Sequence, residues 1–527
     1  MSRRPAVLTV VLCALQLCAQ QNDVPLNRDI YQDIDRNGAC IGSTMHTGLR
    51  PLVESRADLT NVMGFRPDTM RHYYYVTRKI FTQHFIQVKE PGFRLTIDPV
   101  FRFELGRDFS ERGVANENRA QISNNTRGFW IRCDLGNTVS FQTSFYENQA
   151  TLPLYLYQYT QANGVIPGQG RVKDFQARGF DFAWAQGNVS WTPKRWINIQ
   201  FGNGRHFVGN GYRSLLLSDN TFPYPFLKFS ALTNDQRLQY TTIHAKLQSA
   251  GDPADRLPTG ESSESLFYWR RASFKHASVN LGRLQLGLFE ATLFRNIDST
   301  GVRPLDPLEL NPVIGLNTLL RGFSGDDGKR LLGVDAKLRL TDKLFTYGQF
   351  ALDDPARQRY GWQAGFQWFD LLRRDLHLLV EYNNVTPFAY TSARPRGGYG
   401  HYNQPLAHVM GAGVNEAVAI VDYGMGKRLW LRAQVSSAVF TVDTTAATAS
   451  GGDVFGAYDG FGADSLSVER RRTWLDLSFA WRINQMSNAQ FAVGFIARDV
   501  TSAPDPQQSH LLYVSFRTGL FNRYYDL

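Results

Sequence analysis

The stretch "GNGRHFVGNGYRSLLLSDNTFPYPFLK", residues 202–228, gathers paired glycines, two arginines, a histidine and a Ser-Asp-Asn cluster. Glycines around a basic core can cradle a phosphate. The dinucleotide fingerprint, however, needs Gly-x-Gly-x-x-Gly between a strand and a helix. Here Gly202 and Gly204 are followed by Arg205, His206, Phe207 and Val208 before Gly209, so the spacing fails. "SGDDGKR" at 324–330 misses the P-loop, because Phe323 stands where the first glycine belongs and Arg330 follows Lys329. "DIDRNG" at 33–38 imitates a calcium loop with Asp33, Asp35, Asn37 and Gly38, but the position of the bidentate Glu holds Thr44. The ten histidines show no His-Glu-x-x-His or other close metal spacing, and no Gly-x-Ser-x-Gly elbow is present. Asp353 and Asp354 read as a solvated loop. The chain is therefore expected to have no catalytic residues, no metal, no cofactor and no nucleic-acid partner.

What the residue types do suit is binding. Guanidinium groups grip carboxylates in a fork, and aromatic faces pack on sugar rings. The net charge is +10, with 57 Lys and Arg against 47 Asp and Glu, and aromatics make up 13% of the residues. Arg, Lys, Tyr and Gln lining a wet interior would suit acidic sugars. Basic residues also line porin pores and meet lipopolysaccharide phosphates.

The elements that would carry such a lining have period two. In "FRLTIDPVFRFEL", Phe93, Leu95, Ile97, Phe101, Phe103 and Leu105 alternate with Arg94, Thr96, Asp98, Arg102 and Glu104. A strand sends successive side chains to opposite faces, so one face is greasy and the other charged. The same alternation appears at 129–135, 139–145, 332–340, 475–482 and 512–517. A soluble sandwich or propeller would also alternate. These segments run about nine to thirteen residues, the length of a tilted membrane strand, and their polar face is densely charged. The fold class expected is all-β, a transmembrane antiparallel barrel. At about 24 residues per strand and loop, residues 93–527 hold about eighteen strands. Gly-, Pro- and Asp-rich stretches at 250–264, 387–404 and 442–466 are expected as loops.

Residues 1–19 read as a secretory signal, with Arg3 and Arg4 before the apolar run Ala6–Leu17 and cleavage after Ala19. Leu15, Gln16 and Leu17 are too large for a lipidated Cys18. Cys40 and Cys133 then remain, too few for a disulfide framework. Cys133 shares the parity of Phe129 and Ile131 and would face lipid. Residues 20–90 differ from the rest. Leu26, Ile30 and Ile34 have helical spacing, Gly38 is a stop, and 68–85 offers a second helix or an extended arm. The segment is expected to be partly helical, periplasmic, and placed before a barrel over 91–527.

Several blocks together resemble a known family. "VPLNRDIYQDID", "MHTGLRPL", "GVIPGQGRVKDF", "FGNGRHFVGNGYRSLLLSDNTFPYPFLK", "FEATLF", "LELNPVIGLN", "YGQFALDD" and "HYNQPLAHVMGAG" are similar to the Wzi-like capsule-assembly proteins of the Bacteroidetes, which include RemB-like gliding-motility proteins. Val208 departs from the aromatic expected there. The resemblance implies an eighteen-stranded barrel in the bacterial outer membrane with a small periplasmic helical part. It also implies a lectin-like role in anchoring or organising exported capsular polysaccharide. Its partners would be outer-membrane lipid, lipopolysaccharide and an acidic surface polysaccharide. A porin-like diffusion channel, or an accessory of gliding or type IX secretion, are the other readings. In the quoted stretch Arg205, Arg213, Asn220 and Tyr224 are the candidate sugar contacts, unless the loop folds inward and only constricts the lumen.

Overall fold

The computed structural model describes residues 21–527 except 61, 63, 66–73, 111–120, 177–178, 250–267, 299–300, 326, 395–396, 427, 443–450, 457–467 and 502–506. The expected signal segment 1–19, the loop 250–264 and most of the loop 442–466 lie outside the described residues.

Eighteen antiparallel strands close into a cylinder. They are β1 (Phe93–Asp108), β2 (Gln121–Leu135), β3 (Val139–Thr151), β4 (Gly179–Lys194), β5 (Ile197–Gly204), β6 (Tyr224–Leu232), β7 (Leu238–Ser249), β8 (Tyr268–Leu281) and β9 (Leu284–Arg295). The circuit continues through β10 (Gly328–Arg339), β11 (Leu344–Asp354), β12 (Arg359–Phe369), β13 (Leu376–Val385), β14 (Val414–Met425), β15 (Leu429–Val442), β16 (Val468–Asn484), β17 (Ala489–Thr501) and β18 (Gln507–Thr518). Each strand pairs with its neighbours in sequence. β18 closes the ring on β1, with Leu511 opposite Asp108 and Arg517 opposite Arg102. Closure leaves no sheet edge, which is the condition for strands to cross a bilayer.

The alternation read in the sequence decides which side faces out. Phe129 and Leu135 are exposed, whereas Trp130, Arg132 and Asp134 between them are buried. Leu477, Phe479 and Trp481 likewise point out, and Cys133 shares the outer face as a free thiol. Tight turns gather at one end. At Gly136 (φ +60°) and Gly282 (φ +72°) the chain reverses in a left-handed conformation that favours glycine. Trp191, Trp368 and Trp481 ring the wall near this end, as an interfacial girdle does. Longer connections gather at the other end. Cylinders of this kind are outer-membrane proteins with short turns on the periplasmic side.

The segment expected ahead of the barrel divides in two. The described residues from 21 to 58 are packed inside the short-turn mouth instead of preceding it. Helix α1 (Arg28–Ala39) begins at Asn27, whose side chain accepts from the Asp29 N–H. The Asp23 carboxylate accepts from Asn188 (3.0 Å) and Gln200 (2.8 Å) on the wall, and the Gly38 carbonyl accepts from Arg339 (2.9 Å). Asp33, Asp35 and Asn37 are helical residues here, not a loop, and Asp35 is paired with Arg50 at 2.7 Å. Helix α2 (Tyr75–Phe81) and a short strand, Ile86–Glu90, are largely exposed, and the strand pairs with the start of β1.

An arginine on the greasy face should be expensive at mid-wall. Leu477→Arg is expected to cost about 2–4 kcal/mol, read by urea titration of the barrel in lipid vesicles.

Candidate functional site

The quoted stretch does fold inward. β5 ends at Gly204, and the chain from 205 to 223 crosses the lumen before β6 starts. Two glycines permit this course. At Gly209 (φ +126°) a Cβ would lie 2.3 Å from the Gln349 amide nitrogen, and at Gly211 it would lie 2.2 Å from a Glu381 carboxylate oxygen. Only a bare backbone lies this close to the wall. Ser214 then makes a turn, donating to the Val208 carbonyl at 2.5 Å and accepting from the Leu216 and Leu217 amides. Leu215, Leu216 and Leu217 are wholly buried among Phe289, Leu293, Tyr390 and Tyr399. The Tyr390 and Tyr399 hydroxyls donate to the Leu215 and Leu216 carbonyls at 2.8 and 2.7 Å. Pro225 is paired in β6 opposite Asn203, near the strand's start, where one missing N–H is tolerated. It does not stop pairing as its type suggests.

Behind the leucines sits a knot of charge. Arg213 forks onto Glu416 at 2.9 and 2.8 Å and reaches Asp526 at 3.0 Å. Arg472 joins the same Glu416 at 2.7 Å and contacts the Asp526 carbonyl, and His408 meets Glu416 at 2.9 Å. Tyr212 donates to Asp526 at 2.8 Å. Burial opposes the charge on Arg213, but Asp526 and Glu416 hold its guanidinium well above the ordinary value. The knot ties three distant pieces together: the 205–223 loop, the wall at β14 and β16, and the tail 519–527.

Of the four residues singled out from the sequence, Arg205, Arg213 and Asn220 fall in this plug and Tyr224 opens β6, and all are at most 4% exposed. Arg213 is committed to Glu416 and Asp526. Arg205 donates to the Gly168 carbonyl at 2.5 Å and lies 4.5 Å above the Trp184 ring; burial pushes its guanidinium down to about 10. The Tyr224 hydroxyl is 3.2 Å from His206. Asn220 is buried, and among the described residues neither of its side-chain amide atoms has a hydrogen-bond partner.

A cavity of about 220 Å³ remains between the tail and the wall formed by β1–β3 and β15–β18. Its lining includes Arg102, Glu104, Arg432, Asp476, Arg517 and Arg523, with Tyr155, Trp474, Tyr513 and Tyr525. Arg102 is paired with Glu104 at 2.5 Å, and Arg432 with Asp29 at 2.9 Å. Among the described residues Arg517 and Arg523 make no direct ion pair, although the charge of Glu104 reaches both and that of Asp476 reaches Arg517. One terminal nitrogen of Arg523 is buried without an acceptor, and its guanidinium lies 5.3 Å from the Phe521 ring centre. Burial, and secondarily the charge of Arg102, push Arg523 down to about 10. Guanidinium forks outside direct ion pairs, beside aromatic faces, suit a carboxylate on a sugar ring. Arg517 was legible as the polar partner of Leu512 and Phe516. Arg523 lies beyond the last strand, and no periodic signal marks it.

No family model and no curated protein matches the chain. Among solved structures, 95% of it superposes on 100% of Wzi from Escherichia coli, at 12% identity and a TM-score of 0.53. The two share one fold. Wzi is an outer-membrane protein involved in group 1 capsule assembly and a carbohydrate-binding β-barrel. OprD from Pseudomonas aeruginosa matches 81% of this chain and 96% of its own at 12% identity, TM-score 0.41. A BenF-like porin from Pseudomonas fluorescens matches 81% of this chain and 99% of its own at 12% identity, TM-score 0.44.

Two outcomes test the plug. Arg213→Ala leaves buried carboxylates short of a cation and is expected to lower stability by about 3–5 kcal/mol, measured by urea unfolding. Loop 386–413 should also loosen in acid. His401 accepts from the Gln248 amide at 3.0 Å, and burial holds its imidazole at about 3. The folded loop thus keeps the neutral ring, while the released loop takes up a proton near 6.5. The loop's stability is full above that value and declines as pH falls toward 3. Once intrinsic exchange rates at each pH are divided out, hydrogen-exchange protection across 386–413 should fall between pH 7 and 4.5, and less so in His401→Gln.

Proposed function

We propose that this protein is a non-enzymatic outer-membrane barrel that holds exported acidic polysaccharide at the cell surface. The observation that supports this most is the plugged lumen. The chain fills its own cylinder from both ends, and among the cavities left between described residues the one of about 220 Å³ is lined by Arg517, Arg523 and aromatic faces. An open diffusion channel has no use for such a filling, whereas an anchor must bind without conducting. The resemblance of the sequence blocks to Wzi-like capsule-assembly proteins agrees with this reading. So does the shared fold with a carbohydrate-binding barrel. In this proposal residues 1–19 direct export, and lipid and lipopolysaccharide surround the wall. Arg517 and Arg523 take the polymer's carboxylates, with Arg205, Arg213, Asn220 and Tyr224 shaping the lumen behind them.

Planar bilayers discriminate the anchor from the porin. The purified barrel is expected to give no large steady conductance, and stable open channels would instead establish a diffusion pore. Binding to uronic-acid glycans on an array should fall about tenfold or more in Arg517→Ala/Arg523→Ala. Equal binding by both proteins removes this site. In cells, deletion should release free polymer into the medium. Intact capsule with lost surface adhesin would turn the assignment to gliding or type IX secretion.

A further inference from the structure

One sector of the outer wall breaks the greasy pattern. On β9 the inward residues Phe289, Ala291 and Leu293 pack in the core against the 205–223 loop. Their neighbours Glu290 and Thr292 therefore point outward, on the same face as Leu288, which is 54% exposed. Lys275 of β8 stands opposite Glu290, and Arg330 of β10 stands opposite Thr292. An ion pair, Lys275–Glu290 at 2.8 Å, thus lies on the lipid side near the middle of the wall. Yet both side chains are fully buried.

The cover is the connection between β9 and β10. Its residues 303–322 fold back over the outside of the cylinder. Lys275 donates to the Val313 carbonyl at 3.1 Å, and Glu290 accepts from the Thr318 amide and hydroxyl at 3.1 and 2.9 Å. Asn317 donates to Thr292 at 3.2 Å, and Arg271 of β8 to Glu309 at 2.9 Å. The Tyr240 hydroxyl, on the outer face of β7, donates to the Pro312 carbonyl. The polar side chains of this connection, Asp306, Glu309, Asn317 and Thr318 among them, turn toward the wall or one another.

The opposite side of residues 304–320 is apolar, bounded by the exposed Arg321. From 304 to 320 every exposed residue is Pro, Leu or Val: Pro304, Leu305, Pro307, Leu310, Pro312, Val313, Leu319 and Leu320. Leu319 is 81% exposed. An irregular segment enters hydrocarbon only if its backbone groups are satisfied within the protein. Here three prolines carry no N–H. The carbonyls of Pro304, Leu308, Pro312 and Val313 all accept from side chains of the wall or the segment itself. The aliphatic surface also runs on into the lipid-facing wall at Leu288 and Val334.

We infer that residues 304–320 form an intramembrane flap that lies on the outer wall, seals the Lys275–Glu290 pair, and faces lipid acyl chains. The flap restores a greasy exterior where the strands beneath are charged. This rests on the barrel fold alone and stands or falls apart from any polysaccharide role.

Spin labels test it in the full chain with its four cysteines replaced by serine, reconstituted in phosphatidylcholine vesicles. Labels go on Leu310→Cys and Leu319→Cys. Leu288→Cys serves as the lipid-facing reference, and Asp235→Cys, in a short turn, as the aqueous one. At 310 and 319, collisions with oxygen are expected to exceed those with a water-soluble nickel chelate, as at 288. A nickel-dominated pattern like that at 235 would mean the flap sits in water and overturns the inference. Low collision with both reagents, with spin–spin broadening, would mean a second copy covers the flap, which overturns it as well.

Discussion

A bilayer offers no water to a peptide group, and that constraint governs everything else in this molecule. Every backbone donor and acceptor at membrane depth must find its partner in the chain. The ring closes because β18 pairs with β1, Leu511 to Asp108 and Arg517 to Arg102. Closure makes an inside and an outside, and the period-two pattern then sorts the side chains between them. The same constraint fits the irregular segment 304–320 laid against the outer wall, which is rich in proline and whose carbonyls at Pro304, Pro312 and Val313 accept from side chains of the wall.

Inside, the problem is reversed. A cylinder of this size would be a wet hole, yet here the chain fills it with charge. Arg213, Glu416, Arg472, His408 and Asp526 form one network in which each carboxylate meets more than one donor. Burying a charge without partners is severely unfavourable. Removing one member of such a network leaves its partners short of a counter-charge, and the network holds the 205–223 loop and the tail against the wall at β14 and β16 at once. The leucines 215–217 add an apolar seal that the charges alone would not provide.

The residual cavity gains its meaning from that filling. Where the plug has spent its arginines on carboxylates, binding chemistry is used up. Arg517 and Arg523, beside Tyr and Trp faces, make no direct ion pair among the described residues.

The strands, their orientation and the approximate strand number were legible in the sequence, because side-chain direction in a strand depends only on the parity of position. Phe129 and Arg132 could be assigned to lipid and lumen without any tertiary information. The inward course of 205–223 was foreseeable as one of two options from its glycines and prolines. The partners of that loop were not. Arg213 meets Asp526 across 313 positions, and no local pattern encodes so distant a pairing. Nor could parity show that residues 21–58 sit within the mouth, or that Glu290 on a lipid-facing strand is covered by a flap. Local physics decided which way each side chain points. Only closure of the ring decided what it finds there, since proximity across a lumen is a property of the cylinder and not of the chain.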